Sequence, residues 1–452
     1  MFPLRPGAAL CALRPKNPAQ GAGIRLWQCP EETPPPAMTI TAPLPSLKRH
    51  QPFALFWTMR VTTTTAYMMQ SVAVGWQIYD MTGNALDLGL VGLVQFVPLF
   101  LLAVVVGQII DRYDRRAIAR TCQIVKAVCA LLLAYGSARE WLSRDAMFAI
   151  LLVVGVARAF ETPTLHALLP SLVPPLLLPR AIAASASAGQ TAIICGPALG
   201  GLIYAFGPTT VYVCCAVVFT GASVLVSLLP RPSGPTRRQP VTLANLFAGF
   251  VYIRSRPILL GAISLDLFVV TLGGVTALLP IYARDILETG PWGLGLLRSG
   301  PAIGALLMSI WLAHFPIERR AGLLMFASTG MFGLAIMAFA LSRSLLLSIL
   351  ALVVYGASDA VSVVIRMALV QMRTPSEMLG RVMAVNSMFT GSSGALGEFR
   401  AGVIAAGFGA VASALVGGCG ALLMVLLWMR LFPDLAHVKR IAPEAAEAER
   451  SR

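Results

Sequence analysis

Residues 107–116 read GQIIDRYDRR, and this short stretch decides how the rest of the sequence is interpreted. It holds three arginines and two aspartates, although charged residues make up only 12% of the 452-residue chain. A long run of Leu, Val and Phe comes directly before it. Charge concentrated between apolar runs is typical of a loop at a membrane surface. The stretch therefore predicts a turn between two membrane-spanning helices.

The composition agrees with a membrane protein. Hydrophobic residues make up 57% of the chain, and the mean hydropathy is +0.76. Soluble domains carry about 25% charged residues, which is far more than this chain has. The net charge of +15 would suggest nucleic acid, but the basic residues are scattered between apolar runs instead of forming one stripe. We therefore expect the lipid bilayer as a partner, and no nucleic acid.

The residues that most often carry chemistry are not grouped. The eight cysteines show no metal or redox spacing, and the four histidines are dispersed. No lysine follows a glycine in the phosphate-binding loop of ATPases, which leaves an ion gradient or passive transport. No compact catalytic set is visible either. We expect no metal, no cofactor and no enzyme activity.

Twelve apolar runs follow the first fifty residues. Each is near or above the ~20 residues that cross about 30 Å of hydrocarbon. The sequence therefore predicts an all-α membrane protein with twelve transmembrane helices in two pseudo-symmetric six-helix bundles. The expected spans are 53–76, 86–110, 117–138, 146–168, 182–206, 209–229, 258–282, 292–313, 321–341, 345–369, 382–406 and 410–432.

The breaks between the runs predict the domain organisation. The longest break divides the spans six and six, and its second part has the character of an amphipathic helix on the membrane surface. The Pro- and Ala-rich beginning predicts disorder, and Met38 is an alternative start. The expected divisions are a cytoplasmic extension over 1–52, bundles over 53–230 and 258–432, a linker over 231–257 and a tail over 433–452.

The arginines predict the orientation. Loops on one side of the spans hold most of them, and the loops on the other side hold only Arg139, Arg144, Arg284 and Arg343. By the positive-inside rule the arginine-rich side is cytoplasmic. An even number of spans then places both termini in the cytoplasm, with the protein in the inner membrane.

The two halves resemble each other weakly. Ala167 precedes Arg180 by the same thirteen positions that separate Ala368 from Arg381. The same offset places GPALGG over GEFRAG, which begins at residue 397. These matches favour a duplicated six-span unit, the layout in which substrate sites form at the midplane between repeats.

The opening stretch also resembles a known signature, the loop between spans two and three of the major facilitator superfamily. One departure is Asp114, which stands where that family usually has glycine, the residue that most readily adopts a positive φ. The resemblance implies a loop whose charge contacts break and re-form as a cavity opens alternately. Arginines that only set topology are the alternative. The matching positions are Gly107, Asp111, Arg112, Arg115 and Arg116.

A second motif lies in the fifth span. The sequence GPALGG resembles the motif of the superfamily's exporters, where it marks antiporters more than importers. Proline bends a helix, and glycines let a neighbouring helix approach closely. Ordinary packing of small residues is the alternative. The motif positions are Gly196, Pro197, Gly200 and Gly201.

Charged residues inside the spans are candidates for proton coupling, because charge is costly in hydrocarbon and a proton neutralises a carboxylate. Arg158 resembles the span-four arginine of proton antiporters, although Glu161 and Thr162 replace the Gln-Gly of that family. Glu161 lies close enough along the helix to pair with Arg158. Each carboxylate has an alternative as an ion-pair partner of Lys126, Arg158, Arg298 or Arg400. The candidates are Arg158, Glu161, Asp266, Asp359 and Glu398.

From Phe53 to about Pro433 the chain is similar to the superfamily branch that includes enterobactin exporters, above all at 71–98 and 379–389. The resemblance implies a monomeric secondary transporter that exports a small molecule, such as a siderophore or a drug, in exchange for protons. A uniporter, an importer and a non-transporting scaffold are the alternatives. An aromatic cavity is a further expectation, with candidate lining residues Trp57, Tyr67, Trp76, Gln95, Phe96 and Phe160.

Overall fold

The computed structural model describes residues 50–230, 243–315, 317 and 320–438, except for the side chains of residues 104, 111, 243–246 and 376. The described part is helical and contains no strand. Most of the predicted extension, part of the linker and most of the tail lie outside it. The helices are α1 Gln51–Thr82, α2 Ala85–Leu101, α3 Ala103–Arg112, α4 Arg115–Ala138, α5 Arg144–Leu172, α6 Leu178–Tyr204, α7 Pro208–Ser227, α8 Leu243–Arg254, α9 Pro257–Gly273, α10 Leu279–Ile281, α11 Gly290–His314, α12 Ala321–Leu341, α13 Leu345–Arg373, α14 Ser376–Phe408, α15 Ala410–Leu431 and α16 Pro433–Ala436.

The all-α membrane fold is confirmed. Within the described ranges, nine helical segments are long and apolar enough to cross a membrane. Three further rods coincide with predicted spans, namely α1, α2 with α3, and α14. The threonine run of α1 and the charged residues of α14 lower their hydropathy. For these three rods membrane crossing stays a prediction.

Local sequence explains several helix ends. Gly83 adopts a left-handed conformation and ends α1, and the Asn84 side chain caps α2 by accepting from the Leu86 N–H at 2.9 Å. Asp114 caps α4 by accepting from the Arg116 N–H at 2.9 Å, with a φ of −62°. The turn after α3 therefore needs no positive φ, and the aspartate in place of glycine supplies a helix cap.

The seventh predicted span is interrupted. The helix α9 ends at Gly273, a 3₁₀ turn covers Thr276–Leu278, and a π-helical turn covers Tyr282–Ile286 after α10. A Cβ at Gly274 would lie 2.9 Å from the carbonyl carbon of Gly397, so glycine is required where α14 approaches the break. Hydropathy alone did not predict this break, because the segment is apolar throughout.

The helices form two bundles. In the first, α1 packs on α6 and α7, and α4 packs on α5 and α7. In the second, α9 packs on α14 and α15, while α13 packs on α11 and α12. The bundles meet where α6 packs on α11 and where α2 packs on α14. Inside the predicted linker, α8 packs on α14.

Candidate functional site

A cavity of about 620 Å³ lies between the two bundles. This volume is within the ~300–1,000 Å³ of sites for small molecules. Thr276 and Leu279, which follow the break after α9, line it together with residues of α1, α2, α5, α6, α11, α13 and α14. Its charged and aromatic lining residues are Arg158, Arg298, Asp359, Glu398, Tyr67, Phe96 and Tyr355.

Arg158 on α5 reaches this cavity and is held there by Tyr67. Its Nη1 donates to the Tyr67 hydroxyl at 2.6 Å, and its guanidinium lies 4.0 Å from the centre of the tyrosine ring. The Tyr67 hydroxyl in turn donates to Gln95 Oε1 at 2.8 Å. A cation held by a hydroxyl and an aromatic face keeps further donors free for a ligand.

Arg298 enters the cavity from the second bundle. Its Nη1 donates to the backbone carbonyl of Ser71 on α1 at 2.7 Å. The residue therefore both lines the cavity and links the two bundles at mid-height. Arg298 lies within the apolar run of α11, and like other charged residues inside predicted spans it faces the protein interior.

Two candidate carboxylates, Asp359 and Glu398, also face the cavity. Neither forms an ion pair within 4 Å in the described part of the chain. The Glu398 carboxylate lies against Gly92 on α2, where a Cβ would overlap Oε2. Glu398 thus sits at the junction of α2 and α14, where the two bundles meet.

The other two candidate carboxylates are buried in ion pairs inside the bundles. Glu161 pairs with Lys126 at 2.7 Å and accepts a second hydrogen bond from Gln123 at 2.6 Å. Asp266 pairs with Arg366, which is 2% exposed. The suggested Arg158–Glu161 pair is not formed, because Glu161 points to α4 while Arg158 points to the cavity.

Sequence reasoning missed Arg366. It stands inside the predicted span 345–369, three residues before its end, and the criterion that selected Arg158, a charge inside an apolar run, would have found it. Of the expected aromatic cavity, Tyr67, Gln95 and Phe96 do line the cavity. The other candidates lie elsewhere, as Trp57 bonds to the Ala184 carbonyl and Trp76 packs on Tyr204.

The signature loop lies at the junction of α3 and α4. Arg116 donates through Nε to the Val226 carbonyl at 3.1 Å and also bonds the Ser227 carbonyl, at the last turn of α7. Arg115 bonds the Ala167 carbonyl on α5 at 3.2 Å. Arg116 thus binds carbonyls of the last turn of α7, where a helix leaves such groups without intrahelical partners, and Arg115 links α4 to α5. Gly107 and Arg112 lie in α3, and the side chain of Asp111 lies outside the described residues.

The GPALGG segment of α6 faces two helices. A Cβ at Gly196 would lie 3.1 Å from the Thr65 carbonyl oxygen on α1, and one at Gly200 would lie 2.7 Å from the Met69 Cα on the same helix. Gly201 faces α11 instead, where a Cβ would lie 3.0 Å from Gly295 Cα. Pro197 lines the cavity. The segment therefore packs within its own bundle and across the interface.

The second bundle carries a matching contact. A Cβ at Gly402 on α14 would lie 2.8 Å from the Cα of Gly89 on α2. Gly402 occupies the position that the sequence offset pairs with Gly201. Two glycine contacts, one from each bundle, therefore form the interface on either side of the cavity.

Polar contacts join the bundles at the far end of α1. Arg284 pairs with Asp80 at 2.9 Å, and the Tyr79 hydroxyl donates to Asp285. Arg284 and Asp285 belong to the π-helical turn that follows α10. These four residues form polar contacts between the two bundles at this end of α1.

Comparison with known proteins identifies the family. The model of the transmembrane secretion effector family matches residues 40–448. The enterobactin exporter EntS of Escherichia coli (strain K12) is 26% identical over 408 residues, which cover 89% of this chain and 97% of that protein. The corresponding exporter of Citrobacter koseri is 27% identical over 402 residues, covering 88% and 95%.

Solved structures show the same fold at low identity. A D-xylose–proton symporter superposes with a TM-score of 0.66 at 12% identity, covering 85% of this chain and 98% of that chain. A bacterial homologue of the iron transporter ferroportin, in its inward-facing state, gives 0.63 at 20% identity, covering 87% and 100%. These likenesses support the fold alone.

Proposed function

This chain belongs to the transmembrane secretion effector family of the major facilitator superfamily, and we propose that it exports a small molecule by alternating access in exchange for protons. The protein is a multi-pass membrane transporter. Export is supported by the relatives named as enterobactin exporters, which align over nearly their whole length. The arginine distribution supports a place in the inner membrane with both termini in the cytoplasm.

The observation that carries this proposal is the charged cavity at the interface of the bundles. Both bundles contribute to its wall, so a rotation of one bundle against the other changes access to it. The contacts of Tyr79 and Asp80 with the π-helical turn join the two bundles at the end of α1. The signature loop, which includes Arg112, is placed to respond when α3 and α4 move. We therefore assign the alternating step to motion at the α6–α11 and α2–α14 contacts.

The lining indicates the class of substrate. A volume of about 620 Å³ accommodates a drug-sized molecule. Tyr67, Phe96 and Tyr355 offer aromatic faces, while Arg158 and Arg298 offer donors for anionic or phenolic oxygens. A bulky polar molecule with aromatic groups, such as a siderophore, fits this combination.

Proton coupling is assigned to the carboxylates that face the cavity. Glu161 and Asp266 already have cationic partners, whereas Asp359 and Glu398 have none within 4 Å in the described part of the chain. A carboxylate in this situation gains or loses a proton as its surroundings open and close. Asp359 and Glu398 are therefore the preferred proton carriers among the candidates.

The test is transport by the purified protein in proteoliposomes. Enterobactin and a cationic dye serve as probes, with and without an imposed pH gradient. We expect the gradient to drive accumulation in the native protein, and Asp359→Asn or Glu398→Gln to abolish the drive while exchange persists. Glu377→Gln, an exposed carboxylate on α14, is the matched control and keeps the native behaviour.

The outcomes separate the alternatives. Transport that ignores the pH gradient would indicate a uniporter or another coupling ion. Absence of transport for every probe, with correctly folded protein, would favour a non-transporting scaffold. Cells with and without the protein, compared for retained siderophore and dye, test the direction of transport independently.

A further inference from the structure

A small second cavity lies inside the second bundle, next to the central one. Its volume is about 10 Å³, close to the space that a single water molecule needs. Asp359 lines both cavities and therefore stands at their boundary. The other polar residues around the small cavity are Asp266, Thr329, Ser358 and Ser362.

Two serine hydroxyls in this wall have no hydrogen-bond partner in the part of the chain that the structure describes. Ser358 and Ser362 are 7% and 9% exposed, and neither hydroxyl has a hydrogen-bond partner within the described ranges. By contrast, the hydroxyl of Thr329 on α12 has a partner in its own helix, because it donates to the Met325 carbonyl at 2.7 Å. Buried hydroxyls are almost always hydrogen-bonded, to protein or to an ordered water. The small cavity therefore has both the room and the polar groups for a water molecule.

The arrangement along α13 gives this water a role. Asp359, Ser362 and Arg366 follow one another at spacings of three and four residues, which places them on one face of the helix. Arg366 pairs with Asp266 of α9, and Asp266 also lines the small cavity. The cavity thus separates the carboxylate that faces the substrate from the buried ion pair.

We propose that a water molecule bound by Ser358 and Ser362 connects Asp359 to the Asp266–Arg366 pair and passes a proton between the two carboxylates. Protonated Asp359 gives its proton to the water as the water gives another proton to Asp266. Asp359 becomes a carboxylate, Asp266 becomes a neutral acid, and the water and the total charge are unchanged. The inference rests on the proposed proton coupling and adds a second proton position outside the substrate cavity.

Both positively and negatively charged groups lie around Asp359. Whether a proton resides on Asp359 or on Asp266 depends on all of them. The helix α12 contributes the uncharged Thr329 and Phe332 to this region. The titratable and charged groups on the packed helices are Tyr355 and Arg366 on α13, Asp266 on α9, Arg298 on α11, Glu398 on α14 and, across the central cavity, Arg158 on α5.

The first test compares exchange with gradient-driven transport. In proteoliposomes, Ser362→Val removes one of the two hydroxyls that hold the water, and we expect it to keep enterobactin exchange while losing pH-driven accumulation. Ser362→Thr retains a hydroxyl and should restore the drive. Ser309→Val, the same change at an exposed position on α11, is the control. If Ser362→Val folds poorly, the Ser358→Ala/Ser362→Ala double variant removes both hydroxyls without added volume and should show the same loss.

The second test does not depend on the substrate. Infrared difference spectra between acidic and neutral buffer report protonated carboxyl groups, and Asp359→Asn identifies the contribution of Asp359. Asp266→Asn likewise identifies the contribution of Asp266, and we expect this contribution to be lost in the Ser358→Ala/Ser362→Ala variant, because no water then passes a proton to Asp266. An unchanged contribution, or full pH-driven transport by Ser362→Val, would overturn the water connection and leave the proposed export intact. Native transport that ignores the pH gradient would contradict the proton coupling itself, and a sodium gradient that replaces it would assign the site to sodium.

Discussion

Among the described residues, each bundle holds one ion pair in which both side chains are buried, and the two pairs differ in how completely they are surrounded. In the first bundle, Glu161 is held by Lys126 and Gln123, and Gln123 accepts from Thr63 at 3.1 Å. In the second, the Arg366 Nε has no hydrogen-bond partner in the described structure, and a cavity lies beside Asp266. A buried pair is stable only when its remaining hydrogen-bonding groups are satisfied. The first pair is therefore part of a closed network, while the second leaves a donor of Arg366 without a partner in the described structure.

This difference distinguishes two ion pairs that look alike in the sequence. Charged residues within apolar runs mark both bundles in the same way. Only their contacts distinguish the closed network of Glu161 from the Asp266 pair, which borders a cavity that Asp359 also lines. The predictions below test this contrast, beginning with the largest expected effect.

Lys126→Met should break the closed pair. The variant leaves the Glu161 carboxylate buried without its cation, and the expected loss of folding free energy is about 3–5 kcal/mol. Thermal unfolding of the purified protein in detergent measures it. The double variant Lys126→Met/Glu161→Leu removes both charges and should recover most of the loss. A single variant as stable as the native protein would show that the network does not hold the bundle.

Asp266→Asn should destabilise the protein less. The adjacent cavity can supply a water to Arg366, so we expect a loss of about 1–3 kcal/mol, the cost of an imperfectly satisfied polar group. The same unfolding measurement gives the comparison with Lys126→Met. Equal losses in the two variants would contradict the difference between the bundles.

Gly201→Leu and Gly402→Leu probe the two interfaces between the bundles. Each leucine would overlap the backbone of the facing helix, and overpacking of this kind costs about 1–3 kcal/mol. Leucine is well tolerated in lipid, so insertion should remain normal while transport is lost. Membrane level and flux are measured together. Normal flux in one variant only would show that the two contacts are not equivalent.

The exposed contact at the far end of α1 should matter least for stability. Asp80 and Arg284 are both partly open to solvent, with side chains 54% and 39% exposed, and such pairs contribute about 0–1 kcal/mol. A double-mutant cycle with Asp80→Ala and Arg284→Ala measures their coupling. A coupling as large as that of the Lys126–Glu161 pair would remove the distinction between buried and exposed pairs.

Most residues of the candidate site were predicted from the sequence. The ion pairs that these residues form were not. The candidates Arg158, Asp359 and Glu398 do line one cavity, which agrees with the rule that charge inside a span faces the protein interior. The partner of Glu161 was open, because residues at i+3 on the same helix and residues on a neighbouring helix are equally plausible in sequence. Arg366 was overlooked even though it satisfies the same rule.

The sequence by itself determined the class of this protein. Apolar runs of spanning length, the charged signature between the second and third, and the arginine-poor loops on one side are local features, and the physics of the bilayer translates them directly into helices. The family assignment rests on the same local patterns. Hydropathy is a property of the local sequence, and it can be read without knowing the tertiary contacts.

Only the tertiary structure decided which charges meet. Three features arise where two helices approach each other. They are the break after Gly273, the contact of Glu398 with Gly92, and the serines beside Asp359, whose hydroxyls have no partner among the described residues. Such contacts depend on the rotation and depth of each helix, which apolar sequences of similar composition leave undetermined. The distinction between the buried Lys126–Glu161 pair and the carboxylates that face the cavity therefore becomes visible only when the bundles are assembled.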